Sequence, residues 1–173
     1  MKPTADYWIT KLQLEKHIEG GSYSRTYCAG LSIPHKILPE NFKGERPVAT
    51  AIYFLLESTQ FSAMHRIASD ELWHFYYGDA LVVYEIDMAG SLTRHLLGNN
   101  PENNETFQCL VKAGSWFGSA PKKGGDYSLV GCTVSPGFDF ADFELGEREN
   151  LLQLFPQHAG VIAMLTRGQE TKK

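Results

Sequence analysis

Cysteine is scarce in this chain, and so is concentrated positive charge. The three cysteines among 173 residues, Cys28, Cys109 and Cys132, are odd in number and far apart. No pair has C-x-x-C or zinc-ligand spacing, which argues against a disulfide framework and a zinc finger. They read as small buried hydrophobes of a reducing compartment. Sixteen Lys and Arg stand against twenty Asp and Glu, a formal net charge of −4. Nucleic-acid binding wants a clustered basic footprint, and the one short cluster, Lys122-Lys123, is a Gly-flanked turn. No run approaches the ~18 consecutive apolar residues of a membrane-spanning helix. Met1 to Asp6 lacks the apolar core of a signal peptide. The expectation is a cytoplasmic protein with neither nucleic acid nor membrane as partner. Glu19-Gly20-Gly21 is too short for a phosphate loop, and neither G-x-G-x-x-G nor the P-loop pattern occurs. Internal repeats and low-complexity segments are missing too.

What the chain does have is β structure. Its length predicts one domain, residues 1–173. Apolar content of 43% suits an ordinary buried core. Thr4 to Lys16 reads as a short helix capped by Thr4. Short β-rich runs follow between Gly, Pro and Asp turns: 23–29, 48–56, 61–67, 71–77, 81–87, 91–97, 105–112, 115–119 and 127–134. Residues 140–155 and 157–166 then carry helical spacing. Val48 to Leu56 is almost wholly apolar, as a strand buried on both faces would be. In a β-sandwich one strand face normally meets water. Something must therefore cover the outer face here, either the terminal helices or a second subunit. The predicted class is all-β, a sandwich or barrel over about 22–134 with short N- and C-terminal helices.

The densest chemistry lies between Ser62 and Gly78, Ser-Ala-Met-His-Arg-Ile-Ala-Ser-Asp-Glu-Leu-Trp-His-Phe-Tyr-Tyr-Gly. Strand alternation puts Ala63, His65 and Ile67 on one face, and Glu71, Trp73 and Phe75 on one face of the next strand. His74 takes the opposite face. A buried carboxylate must be paired or hydrogen-bonded, so His65 and Glu71 are expected to pair.

The same stretch resembles the first motif of the cupin superfamily, G-x5-H-x-H-x3-4-E-x6-G. His65 is its first His, Glu71 its Glu and Gly78 its closing Gly, while Thr59 and Ile67 depart from the first Gly and second His. The second motif is matched by Lys112-Ala113-Gly114-Ser115-Trp116-Phe117, where Phe117 stands for the His. A narrower resemblance runs from about Leu12 to Leu165. It is carried by His17-Ile18-Glu19-Gly20-Gly21-Ser22-Tyr23, Thr50 to Leu56, His65-Arg66, Ser69 to Phe75, Ala113 to Phe117 and Leu129 to Phe140. These look like the cupin type 5 subfamily, a former domain of unknown function, with Ile18 where that family usually has Pro. The resemblance implies a double-stranded β-helix, the jelly roll.

What the pocket holds stays open at this point. The cupin positions leave His65 and Glu71 as the candidate catalytic pair. Two of the four metal-ligand places hold Ile67 and Phe117, so no metal and no cofactor is expected. A site of His65 and Glu71, with Gln108 as a weak third donor, is the lesser alternative. Trp73, Phe75, Trp116 and Phe117 form an expected aromatic wall for a planar ring or a sugar face. One of Trp116 and Phe117 faces inward. Arg25 and Arg66 are candidates to clamp a carboxylate or phosphate, or else surface ion-pair partners. Tyr53 or Tyr127 is the candidate acid. His17, His35, His95 and His158 read as surface residues. Asp139 to Glu144 reads as an acidic helix start capping the barrel.

Three functions compete. One is a metal-free isomerase or epimerase of a sugar or other carbonyl compound, with His65 as base, oriented by Glu71 or Asp70. It resembles the sugar-nucleotide epimerases that share the jelly roll. The second is a non-catalytic small-molecule binding or sensor protein, and the third a metal-dependent oxygenase. Because cupins commonly pair through their sheets, a homodimer or higher homo-oligomer is expected.

Overall fold

A computed structural model describes residues 2–168. The elements run α1 (Ala5–Lys11), β1 (Glu15–Lys16), β2 (Ser22–Cys28), β3 (Ser32–Ile33), β4 (Arg46–Pro47), β5 (Thr50–Glu57), β6 (Ser62–Arg66) and β7 (Asp70–Gly78). They continue with β8 (Leu81–Ile86), β9 (Leu92–Leu97), β10 (Gln108–Val111), β11 (Trp116–Pro121), β12 (Tyr127–Ser135), β13 (Glu144–Leu145), α2 (Arg148–Leu154) and α3 (Ala159–Leu165). Two sheets face each other. One has the order β1-β2-β5-β12-β7-β10, the other β13-β6-β11-β8-β9. This all-β sandwich is the jelly-roll arrangement, not closed into a barrel.

Alternation explains the layers. Along β7, Glu71, Trp73 and Phe75 are buried while Leu72, His74 and Tyr76 are not. Trp73 and Phe75 join Phe54, Leu56, Val83, Phe117 and Val130 between the sheets. The opposite faces are covered from outside. Met64, Ile86 and Trp116 pack under Leu151, Val161, Ile162 and Leu165 of the C-terminal helices. Leu55 and Leu129 pack with Leu14 beneath Trp8, Ile9 and Leu12. The apolar run at 48–56 is thus explained within one chain: Phe54 and Leu56 face the inter-sheet core, and Leu55 faces the helix side. Gly78 lets β7 turn into β8. Its φ is +98°, and an added Cβ would lie 2.3 Å from the Tyr127 carbonyl oxygen, so no other residue fits without strain.

Two expected helices are shorter than their spacing suggested. α1 stops at Lys11, and Gln13 takes a left-handed φ of 53°. The chain then extends, so that Glu15 pairs with Tyr23. Residues 140–155 are not one helix. A single turn at Phe140–Asp142 is followed by β13, which pairs with β6 (Glu144 opposite Arg66, Leu145 opposite His65). The N–H of Gly146 then bonds the Met64 carbonyl at 2.7 Å. Pairing at this sheet edge satisfies backbone groups that helix would have satisfied, and α2 begins only at Arg148. Cys109 and Cys132 are buried as expected, but Cys28 is exposed at the end of β2.

Candidate active site

A cavity of about 400 Å³ opens at one end of the sandwich. Glu71 enters it because it begins the inward stripe of β7, opposite Val134 of β12. Trp73 and Phe75, next along that stripe, are already in the packed core. His65 enters from β6. Glu19, His17, Tyr23 and Arg25 come from β1, β2 and the loop between them, and Phe138, Asp139 and Phe140 come from the segment after β12.

The expected His65–Glu71 pair does not form. Nε2 of His65 lies 3.2 Å from Oε2 of Glu19 instead. Nδ1 of His65 lies 2.7 Å from the Ala63 carbonyl oxygen, which can only accept, so Nδ1 carries a proton. The other oxygen of Glu19 accepts from the Ser62 hydroxyl at 3.0 Å. Phe117 lies against the His65 ring at a centroid distance of 4.1 Å, and Phe143 stacks on it at 5.2 Å.

Glu19 is delivered by the two glycines that follow it. Its carbonyl accepts from Ala63 N–H at 2.8 Å. An added Cβ on Gly20 would lie 2.1 Å from the Phe61 carbonyl oxygen, at a φ of +118°. Only glycine lets the loop press this closely on β6. His17 shares the pocket and is buried rather than on the surface. Its Nδ1 accepts the Glu19 N–H at 3.4 Å and lies 3.6 Å from Glu19 Oε2. The first contact is a hydrogen bond and the second too long for one, so the neutral ring carries its proton on Nε2. Burial, more than any other cause, depresses the His17 pKa and keeps that ring neutral. Phe140 stacks over His17 at 6.0 Å.

Glu71 is the chemically unusual group. Burial first, and the neighbouring Glu19 second, raise its pKa from 4.5 to about 8, partly opposed by a hydrogen bond with the Cys132 thiol. Among the described residues no Arg, Lys or His side chain pairs with it. It is therefore a neutral carboxylic acid at pH 7, facing a cavity. The same burial pushes the Cys132 thiol well above its ordinary range.

The other expected residues divide. Arg25 lines the cavity and has no hydrogen bond or ion pair among the described residues. Arg66 is taken up by Glu144 at 2.7 Å and lies over Trp116. Trp73, Phe75 and Phe117 are core side chains, and Trp116 faces the C-terminal helices, so none of the expected wall lines the cavity. Phe117 is the inward member of its pair. Tyr53 sits on the outer sheet face against Tyr76, and Gln108 bonds Nδ1 of His74 on that same face. Tyr127 donates to the Pro3 carbonyl at 2.6 Å, far from the cavity residues in the fold. Asp70 is held outside by Lys112 and Ala113 N–H. His95 pairs with buried Glu85 at 2.9 Å, and His35 and His158 bond backbone carbonyls.

Residues 6–146 match the family described as cupin superfamily (DUF985). The chain belongs to this family. A crystal structure of a protein from Shewanella oneidensis is 41% identical over 96% of this chain and 99% of that one, with a TM-score of 0.85. A hypothetical protein from Leishmania major is 36% identical over 96% of this chain and 100% of that one, with a TM-score of 0.87. More distant cupin folds include oxalate decarboxylase from Bacillus subtilis, 13% identical with a TM-score of 0.52, covering 87% of this chain and 36% of that one. At that identity the likeness is one of fold. No curated protein matches the chain.

The cupin superfamily implies a metal at the positions held here by His65, Ile67, Glu71 and Phe117. These residues do not fit one. Ile67 and Phe117 are buried apolar side chains in the core, and both ring nitrogens of His65 are engaged by Ala63 and Glu19. Among the described residues, no three His, Cys, Asp or Glu side chains are grouped to hold a metal ion.

Proposed function

We propose that this cupin binds a small polar molecule in its cavity and moves a proton on it, as an isomerase or epimerase of a carbonyl compound does. The observation that carries the reading is Glu71, a buried acid without a charged partner, facing a cavity beside Glu19 and His65. An acid that titrates near working pH suits general acid–base catalysis. Proton abstraction next to a carbonyl needs two groups. The Glu19 carboxylate, held between His65 and the Ser62 hydroxyl, takes the proton as the C–H bond breaks. Glu71 gives its proton to the carbonyl oxygen as the C=C bond of the enol forms. Return of both protons, to the other face or to the neighbouring carbon, completes epimerisation or isomerisation without an oxidant or reductant.

The roles differ from those expected of the sequence, because His65 has no free ring nitrogen with which to act as base. Full engagement of His65 also supports a second reading, a binding protein without turnover. The deciding experiment is incubation of candidate carbonyl compounds with protein in D2O, read by NMR. Enzyme-dependent deuterium at the α-carbon, lost in Glu71→Gln, supports catalysis. Binding without exchange rejects it in favour of the second reading.

We further propose a homodimer paired through the outer face of the six-stranded sheet. Tyr27 and Tyr76 are about half exposed there, and Leu110 is exposed beside them. Large exposed apolar side chains gathered on one face suit a protein partner.

A further inference from the structure

We infer that the cavity takes an uncharged, polyhydroxylated carbonyl compound of monosaccharide size, and not its phosphate ester or its uronic acid. The inference rests on the cavity being a ligand site, but not on turnover there.

The charges decide it. On the floor, the Glu19 carboxyl is taken up by protein groups, His65 at 3.2 Å and the Ser62 hydroxyl at 3.0 Å. Glu71 and His17 are neutral, and both line the cavity. At the mouth, Arg25 is the one cation among the described lining residues. Glu15 and Asp139 line the same mouth. The carboxylate of Glu15 accepts the hydroxyl of Tyr23, and Asp139 caps the turn at Ala141 N–H, 2.8 Å away. A phosphate or carboxylate bound here would meet more negative charge than positive, and desolvating an ion without a partner is costly. Arg25 is the one lining group among the described residues with paired donors for such an anion, and Glu15 and Asp139 beside it outweigh its charge. A hydroxylated neutral body meets Glu71 O–H, the His17 ring N–H and the Thr50 hydroxyl instead, with Tyr23 and Phe138 to pack on its C–H face. The size agrees. About 400 Å³ lies near the lower end of the ~300–1,000 Å³ of small-molecule sites, which suits a monosaccharide.

The test is saturation-transfer NMR and calorimetry on the full chain at neutral pH. The probes are free aldohexoses and aldopentoses, their terminal phosphate esters and the matching uronic acids. The expected result is binding of at least one free sugar, with its phosphate and uronate weaker by roughly tenfold or more. Glu71→Gln removes the acid O–H that the sugar meets, so sugar binding weakens by roughly threefold or more while its phosphate and uronate stay the weaker ligands. Arg25→Ala, which removes a cation that an uncharged ligand does not need, leaves sugar binding within about threefold. Tighter binding of a phosphate or uronate than of the free sugar overturns the inference, as does a complete lack of sugar binding. Sugar binding without deuterium exchange leaves the ligand class standing and removes the catalytic reading alone.

Discussion

Oε2 of Glu19 lies 3.2 Å from Nε2 of His65, the residue at the first histidine position of the cupin motif. The carboxyl comes from outside the two cupin motifs, on a loop pressed against β6 by Gly20 and Gly21. A protein group thus occupies the imidazole that a metal would need, and Ile67 and Phe117 complete an apolar surround. The cavity that remains is governed by the charges of its side chains.

Glu19 and His65 form a buried pair, and removing one member should hurt more than removing both. An isolated buried charge costs about 3–5 kcal/mol when its partner is deleted. Glu19→Gln or His65→Ala alone should lower stability by an amount of that order. The double variant should recover part of the loss. Urea denaturation of the wild type, both single variants and the double variant measures the coupling. Strict additivity would show that the two groups do not depend on one another.

Glu71 predicts how stability changes with pH. Its folded pKa is raised above its unfolded value, so between 4.5 and about 8 the folded state binds more protons than the unfolded state. Stability contributed by this group is therefore greatest below pH 4.5 and declines as pH rises through 8. The shift corresponds to on the order of 5 kcal/mol as an upper bound. In Glu71→Gln this slope should vanish, leaving the variant relatively more stable on the alkaline side. Melting curves from pH 4.5 to about 8 check it, and parallel curves for the two proteins over that range would contradict it.

The segment over the cavity is fastened by a second buried pair. Nε and Nη2 of Arg46 each lie 2.7 Å from a carboxylate oxygen of Asp142, and Lys43 N–H donates to the same carboxylate at 2.9 Å. Asp142→Asn should leave the Arg46 guanidinium buried and uncompensated. Hydrogen exchange should then accelerate at residues 138–143, with a stability loss of up to about 3–5 kcal/mol. Unchanged exchange at these residues would show that the pair does not hold the segment.

The proposed dimer has its own test. Light scattering at micromolar concentration should give twice the monomer mass, and Tyr76→Glu on the outer sheet face should reduce it. A monomer mass for the wild type contradicts the proposal.

Much of this structure was legible in the sequence, for identifiable reasons. Alternation along 62–66 and 71–77 placed His65, Glu71, Trp73 and Phe75 on inward faces, because a strand with one buried face enforces period two. His74 on the opposite face follows from the same rule. Alternation says nothing about depth, so it did not separate Glu71, at the open end, from Trp73 and Phe75 in the packed core. It is also blind to partners from distant loops. His17 and Glu19 lie in a segment without regular pattern, and their signals were the Gly20-Gly21 pair, a mark of close backbone approach, and their place in a block that resembles the cupin type 5 subfamily. The helix over 140–155 was overestimated because the pairing of Glu144 and Leu145 with β6 is a tertiary event that local spacing does not encode.

The most direct measurement is the titration of the Glu71 carboxyl itself. Carbon-13 NMR of protein labelled at the glutamate carboxyl groups, assigned with Glu71→Gln, follows that one resonance through its protonation. A midpoint near 8 is the predicted result. It would establish a neutral acid facing the cavity at physiological pH. A midpoint near the ordinary 4.5 would mean that Glu71 is ionised there, and would contradict both the acid role and the uncharged floor of the cavity.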